Sequence, residues 1–491
     1  MSVERSAPRG AAFLRCASRV AALGLLLWLG APTAPAATAA TAAPPNIVFI
    51  LADDLGYGDL SCYGRPDVRT PAIDRIAARG VKFTQAYANS CVCSASRTAL
   101  ITGRYQYRLR VGLEEPISST GSAGIGLPPE HPTLPSLLKA VGYRTMLIGK
   151  WHLGALPQFG PLLSGYDHFY GFRSGGVDYF LHRGTDRKPD FWVDDNPIQQ
   201  EGYLTDLLGQ RAVDAIDAYA KARETFFISL HFSAPHWPWE GPGDEPEAKR
   251  LGGPGLMHHD GGSQKTYVEM IEAMDRQIGR VVSALEKNGL AENTIVIFTS
   301  DNGGERFSYT WPFTGRKSEL LEGGLRVPAV ISWPARIASG RVSEQVMIHM
   351  DWLPTLLAAA GTAPNPKFPS DGINLLPQLT QNLAPVARQL FWRYKANAQQ
   401  AARDGDLKYL KILDNTFLFN LANDPMERAN LKERLTDDYR RLARAWFDWN
   451  ATMLPLIEQS ATYAFNGKDL ADHIGLKSPE KKPESPRPPE K

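Results

Sequence analysis

Cysteine is scarce, with four in 491 residues. So few cannot build the dense disulfide framework that stabilises small secreted domains. A charge of one sign is also missing. Lys and Arg number 54 against 52 Asp and Glu, a formal net charge of +2, which excludes the basic footprint of a nucleic-acid-binding protein. No internal repeat is visible. The sequence has one long apolar run near its start, "VAALGLLLWLGA" from Val20. At about a dozen residues it is too short to span a bilayer comfortably.

That run reads as the core of a targeting segment. Arg5, Arg9, Arg15 and Arg19 precede it, and "APA" at Ala34–Ala36 has the form of a cleavage site. Residues 1–36 therefore predict a signal peptide. The leader has no Arg-Arg pair, which favours general secretion over the twin-arginine route. The mature chain is expected in the periplasm or secreted, with no stable membrane anchor after cleavage. Loss of four arginines and Glu4 turns the net charge of +2 into −1. Cys16 leaves as well. Cys62, Cys91 and Cys93 remain, an odd number in an oxidising compartment. That suggests a free or reactive thiol, with a Cys62–Cys91 disulfide and a spare Cys93 as the structural alternative.

Beyond a small-residue linker (37–45), apolar runs alternate with amphipathic segments. The runs cover 46–51, 145–149, 225–232, 294–299 and 327–333. This alternation predicts an α/β fold with a large, mostly parallel sheet flanked by helices over 46–375. Thr70 and Pro71 predict a helix start that stops at Gly80. From 376 to 470, short strand candidates and an amphipathic helix (about 428–450) predict a smaller antiparallel sheet with a helix across it. The Pro- and charge-rich end, 471–491, predicts disorder.

In open α/β sheets, ligands sit beyond the carboxyl ends of strands. Asp53 and Asp54 follow the first run, Lys150 and His152 the second, His236 the third, Asp301 and Asn302 the fourth. Each ending alone reads as a turn, a cap or a structural histidine. Together they place one polar cluster at one edge. Three carboxylates repel one another unless a cation lies among them. All-oxygen ligation selects a hard ion, calcium or magnesium, over zinc. Arg97, Lys150, His152, His236 and Lys317 form a complementary cationic set, suited to a tetrahedral oxyanion ester such as phosphate or sulfate. The segment Ser94–Thr102 has helical composition and ends at Gly103. Cys93 stands at its N-terminus, where the dipole is expected to depress a thiol pKa. Even so, a thiolate beside a hard cation is a poor nucleophile for either ester.

At these residues the chain resembles the type I sulfatases of the alkaline phosphatase superfamily, of the arylsulfatase and N-acetylgalactosamine-sulfate sulfatase kind. The signature stands as "CSASRTALITGR", Cys93 to Arg104. "GYRTMLIGKWHLG", "SAPHWPW", "FTSDNGG" and "GRKSELLEGGLRVP" extend the likeness over nearly the whole mature chain. The resemblance implies that a formylglycine-generating maturation enzyme converts Cys93 to Cα-formylglycine. The hydrated aldehyde then attacks the sulfur of a carbohydrate or aryl sulfate. It also implies that Asp53, Asp54, Asp301, Asn302 and residue 93 bind Ca2+, with Mg2+ as the alternative ion. Arg97 would hold the hydrate and its charge, with Lys150 and His152 flanking it and His152 as the candidate base. His236 and Lys317 would bind sulfate and protonate the leaving oxygen. Ala95 stands where many members have proline, which bears on the maturation enzyme that recognises the site. The competing readings are a phosphodiesterase or phosphonate monoester hydrolase of the same superfamily, and a non-catalytic sulfoglycan-binding protein. Trp237, Trp239 and Tyr179 are candidates for stacking on a sugar or aryl ring.

Overall fold

A computed structural model describes residues 43–464, apart from 119–121, 123, 185 and 253–260. The expected leader, most of the linker and the expected disordered tail lie outside the described residues. A compact unit begins at Pro44.

Five parallel strands form the centre of a ten-stranded sheet. In chain order they are β1 (Asn46–Ala52), β2 (Arg144–Lys150), β3 (His168–Phe172), β4 (Phe226–His231) and β5 (Thr294–Ser300). Their order in space is β5-β1-β4-β2-β3. Strand β6 (Ala329–Ser332) pairs antiparallel with β5, and short strands complete both edges. The sheet is therefore mixed with a parallel core, as its near-continuous apolar runs predict. The period of two divides β1 between two cores. Val48, Ile50 and Ala52 face one layer, while Ile47, Phe49 and Leu51 face the other.

Helices α1 (Pro71–Ala78), α3 (Leu204–Ala222) and α4 (Gln264–Lys287) cover the first layer. In α4 the buried residues Met270, Ile271, Met274, Ile278, Val281 and Leu285 recur at helical spacing. Thr70 precedes α1, but its side chain does not cap the helix. Its hydroxyl is tied to Ser61 and Asp74 instead. The second layer includes α2 (Cys93–Thr102), all ten residues of which are buried. It begins one residue before the expected Ser94. Gly103 ends it in the left-handed conformation, with φ 65°.

A four-stranded antiparallel sheet follows, β7 (Gln389–Tyr394), β8 (Gln399–Asp404), β9 (Leu407–Ile412) and β10 (Asn415–Asn420). Helix α5 (Thr436–Asn450) packs Leu442 and Trp446 on Ala402, Tyr409 and Leu418. It starts eight residues later than expected, because 428–435 form turns held by Asp424 and Asn430. The opposite face of this sheet meets Tyr87, Cys91, Val92 and Ala95 beside α2.

Candidate active site

Strands β1, β2, β4 and β5 deliver their following residues to one edge. Asp301 N donates to Ala52 O (3.1 Å) and Asp53 N to Ala234 O (3.2 Å), which locks the three strand endings together. Asp54 N donates to Asp301 Oδ1 at 3.2 Å. Asn302 Nδ2 donates to Asp54 Oδ1 at 2.7 Å. Asp54 and His152 hold positive φ, 62° and 55°. Such conformations cost a non-glycine residue about 1–3 kcal/mol and gather at functional sites.

The cationic residues interleave with the carboxylates. Arg97 reaches from α2 to Asp301 Oδ2 at 2.9 Å and stands 3.7 Å from Asp53 Oδ1. Lys150 Nζ donates to Asp53 Oδ2. Lys317 Nζ donates to Asp54 Oδ2 at 2.6 Å, and His236 Nε2 lies 3.6 Å from the same oxygen. All ten sequence-predicted site residues are buried. Cys93 joins Asp53 and Asp301 in a group whose ligand atoms lie within 4.8 Å of one another. Asp53, Asp54 and His236 form a second such group.

Burial and crowding set the protonation states. Burial, reinforced by Asp301, raises the Asp53 carboxyl well above its usual range. Burial would raise Asp301 too, but Arg97 and Lys150 bring it down to about 2. The Cys93 thiol is pushed up by burial, which outweighs Lys150 and Lys317. The depressed thiol expected from the helix dipole is therefore not found. Burial works against a charged Lys317, yet Asp54 holds it well above the ordinary lysine range.

Both histidines are lowered by burial and by neighbouring lysines. Their tautomers follow from their partners. His152 Nε2 lies 3.0 Å from Ile117 O, so Nε2–H donates and Nδ1 keeps its lone pair. Nδ1 is buried without a partner. His236 Nδ1–H donates to Trp237 O at 2.5 Å, leaving Nε2 toward Asp54.

Several contributors escaped the sequence reading. His231 Nδ1 sits 3.4 Å from Arg97 Nη1, and its position at the end of β4 was the available signal. Glu305, in the segment after Asn302, is buried and raised by burial to about 7. Gly175 and Gly176 back the two histidines. A Cβ at Gly175 would stand 2.6 Å from His152 Cε1, and one at Gly176 would stand 3.1 Å from His236 Cε1. Of the three aromatic candidates, Tyr179 is fully buried and donates to His236 O at 2.9 Å. Trp239 is buried against Phe307. Trp237 is half-buried and stacks on His236. Cys62, Cys91 and Cys93 are all free thiols, so the Cys62–Cys91 disulfide is not formed.

The Sulfatase family model matches residues 45–362. This chain belongs to the sulfatase family. Its members are sulfuric ester hydrolases. The chain is 34% identical over 411 residues to N-acetylgalactosamine-6-sulfatase of Rattus norvegicus, covering 79% of this chain and 73% of the relative. It is 35% identical over 395 residues to arylsulfatase A of Homo sapiens, covering 74% of each. The crystal structure of Ps i-CgsB in complex with k-i-k-neocarrahexaose superimposes with a TM-score of 0.76 at 29% identity, over 86% of this chain and 95% of that one. Among the described residues, no helix is long and apolar enough to cross a membrane.

Proposed function

We propose that this sulfatase hydrolyses sulfate monoesters, carbohydrate or aryl, at a calcium ion and a formylglycine derived from Cys93. The observation that carries the reading is the close group of Cys93, Asp53 and Asp301 ringed by Arg97, Lys150 and Lys317. The donor set suits a hard cation. Asp53 Oδ1 and Asn302 Oδ1 are buried oxygens without hydrogen-bond partners, and unsatisfied buried oxygens are costly unless something binds them. Asp53, Asp54, Asp301 and Asn302 would hold Ca2+, or Mg2+ in its place, with residue 93 completing the set. The bound ion would polarise a sulfate oxygen and lower the pKa of a hydroxyl at position 93. Formylglycine at position 93 would supply, as its hydrate, two hydroxyls on one carbon, the oxygen nucleophile that a thiol cannot provide.

The chain's own residues bind and move protons around that chemistry. Arg97 holds negative charge beside position 93. Lys317, kept charged by Asp54, donates to a sulfate oxygen. His236 is neutral at rest, and the charge of an arriving sulfate favours a proton on Nε2, from which it passes to the leaving oxygen. His152 offers Nδ1 as the base that takes the second hydroxyl proton. The arginine-preceded apolar leader supports export to the periplasm or beyond.

Two measurements test the reading together. Mass spectrometry of the peptide bearing residue 93, from active enzyme of the native host, is expected to show formylglycine. Steady-state rates on para-nitrophenyl sulfate are expected to exceed those on the matching phosphate mono- and diesters. A fully unmodified thiol in active enzyme, or a preference for phosphate esters, contradicts it.

A further inference from the structure

A cavity of about 540 Å³ opens beside the site, with His152 and Gly175 in its wall. Its volume is within the range of small-molecule sites, roughly 300–1,000 Å³. The wall combines flat apolar surface with polar edges. Phe159 and Trp192 supply the former, and Ser174, Asp186 and Lys188 the latter. Trp192 is fixed in place. Its indole N–H donates to Asp190 Oδ1 at 2.7 Å, and the Arg173 guanidinium stacks 4.1 Å from its ring centroid. Asp190 also accepts from Arg173 N and Ser174 N, at 3.1 and 2.8 Å. One carboxylate thus ties Trp192 to the segment that backs both histidines.

We infer that this cavity receives the organic portion of the ester, that the portion is a sugar rather than an aryl group, and that Trp192 is a specificity-determining residue. The inference rests on the proposed sulfatase function and deepens it. An aryl ring would engage only the apolar part of this wall and make no use of Ser174, Asp186 and Lys188. A pyranose has an apolar C–H face for an indole and a rim of hydroxyls for serine, carboxylate and ammonium groups. The Lys188 ammonium is largely solvent-exposed, with Asp186 3.5 Å away, so both remain accessible to hydroxyls at the mouth.

The test uses matured full-length enzyme. Rates are measured on para-nitrophenyl sulfate and on a panel of O-sulfated hexose and N-acetylhexosamine mono- and disaccharides, the fastest sugar being carried forward. For W192A, the ratio of sugar kcat/KM to aryl kcat/KM is expected to fall about tenfold, chiefly through the sugar KM. Restoration of most of the ratio by W192F would support a stacking role. An unchanged ratio overturns the inference, as does wild-type enzyme that turns over only the aryl ester. If W192A fails to fold, A155W fills the same cavity from an exposed position and is expected to lower the same ratio. Wild-type enzyme inactive on every sulfate ester would overturn the proposed function itself.

Discussion

Single atoms decide the chemistry at this site. Lys317 is held charged by one carboxylate, and K317A is expected to lower kcat/KM by about 10²–10³, the order of losing one preorganised donor to developing charge. The check is steady-state kinetics on an aryl sulfate, with thermal unfolding close to wild type as the control. Gly175 makes the same point through space. G175A places a Cβ 2.6 Å from the His152 ring and is expected to displace that ring. Activity should fall far more than stability, which parallel kinetic and urea-unfolding measurements would show. Equal losses would mean that Gly175 serves the fold alone.

At the scale of elements, the two sheets are coupled through buried charge. Lys408 Nζ on β9 lies 2.9 Å from Glu322 and 2.8 Å from Glu427, with all three groups buried. Glu322 also pairs with Arg326 and accepts from Tyr87, and its segment follows directly on Lys317. K408M leaves two carboxylates without their shared cation and is expected to cost about 3–5 kcal/mol, read by urea unfolding. Glu115, in the segment that follows α2, is tied to residues 461–463 through backbone bonds with Ala461 and Tyr463. Burial raises its carboxyl to about 8, above its unfolded value. Its contribution to stability is therefore fully present below the unfolded pKa and is lost as pH rises through 8. Between those values the slope is about 1.4 kcal/mol per pH unit, and E115Q is expected to remove it from a pH series of unfolding curves. Much of this architecture was legible beforehand. Apolar runs marked β1, β2, β4, β5 and β6, and residues just past four of them gather in the candidate site. Strand β3 was not legible, because "HFYGF" is short and carries glycine and histidine. Neither was the Gly175–His152 contact, since nothing local in "RSGG" says which ring will lie against it. Trp192 escaped for a similar reason, because the Arg173 guanidinium that stacks on its ring comes from just past the end of β3.

For the molecule as a whole, three carboxylates and an asparagine buried at one edge tie stability to the ion they would hold. Calcium removal by a chelator is expected to abolish activity and lower Tm, and titration back should raise Tm with the logarithm of free calcium. A Tm indifferent to calcium and magnesium would contradict the metal assignment. The burial of α2 bears on the order of events in the life of the chain. Cys93 is 2% exposed, on a helix with no residue at the surface. If Cys93 is converted as proposed, a maturation enzyme would have no path to that side chain once the helix is enclosed. Conversion would then have to precede closure, and folding would compete with it for the same nascent chain. The active fraction of any preparation would become a record of that race. Enzyme folded first and exposed to the maturation machinery later should stay inert, whereas the same chain presented unfolded should be converted.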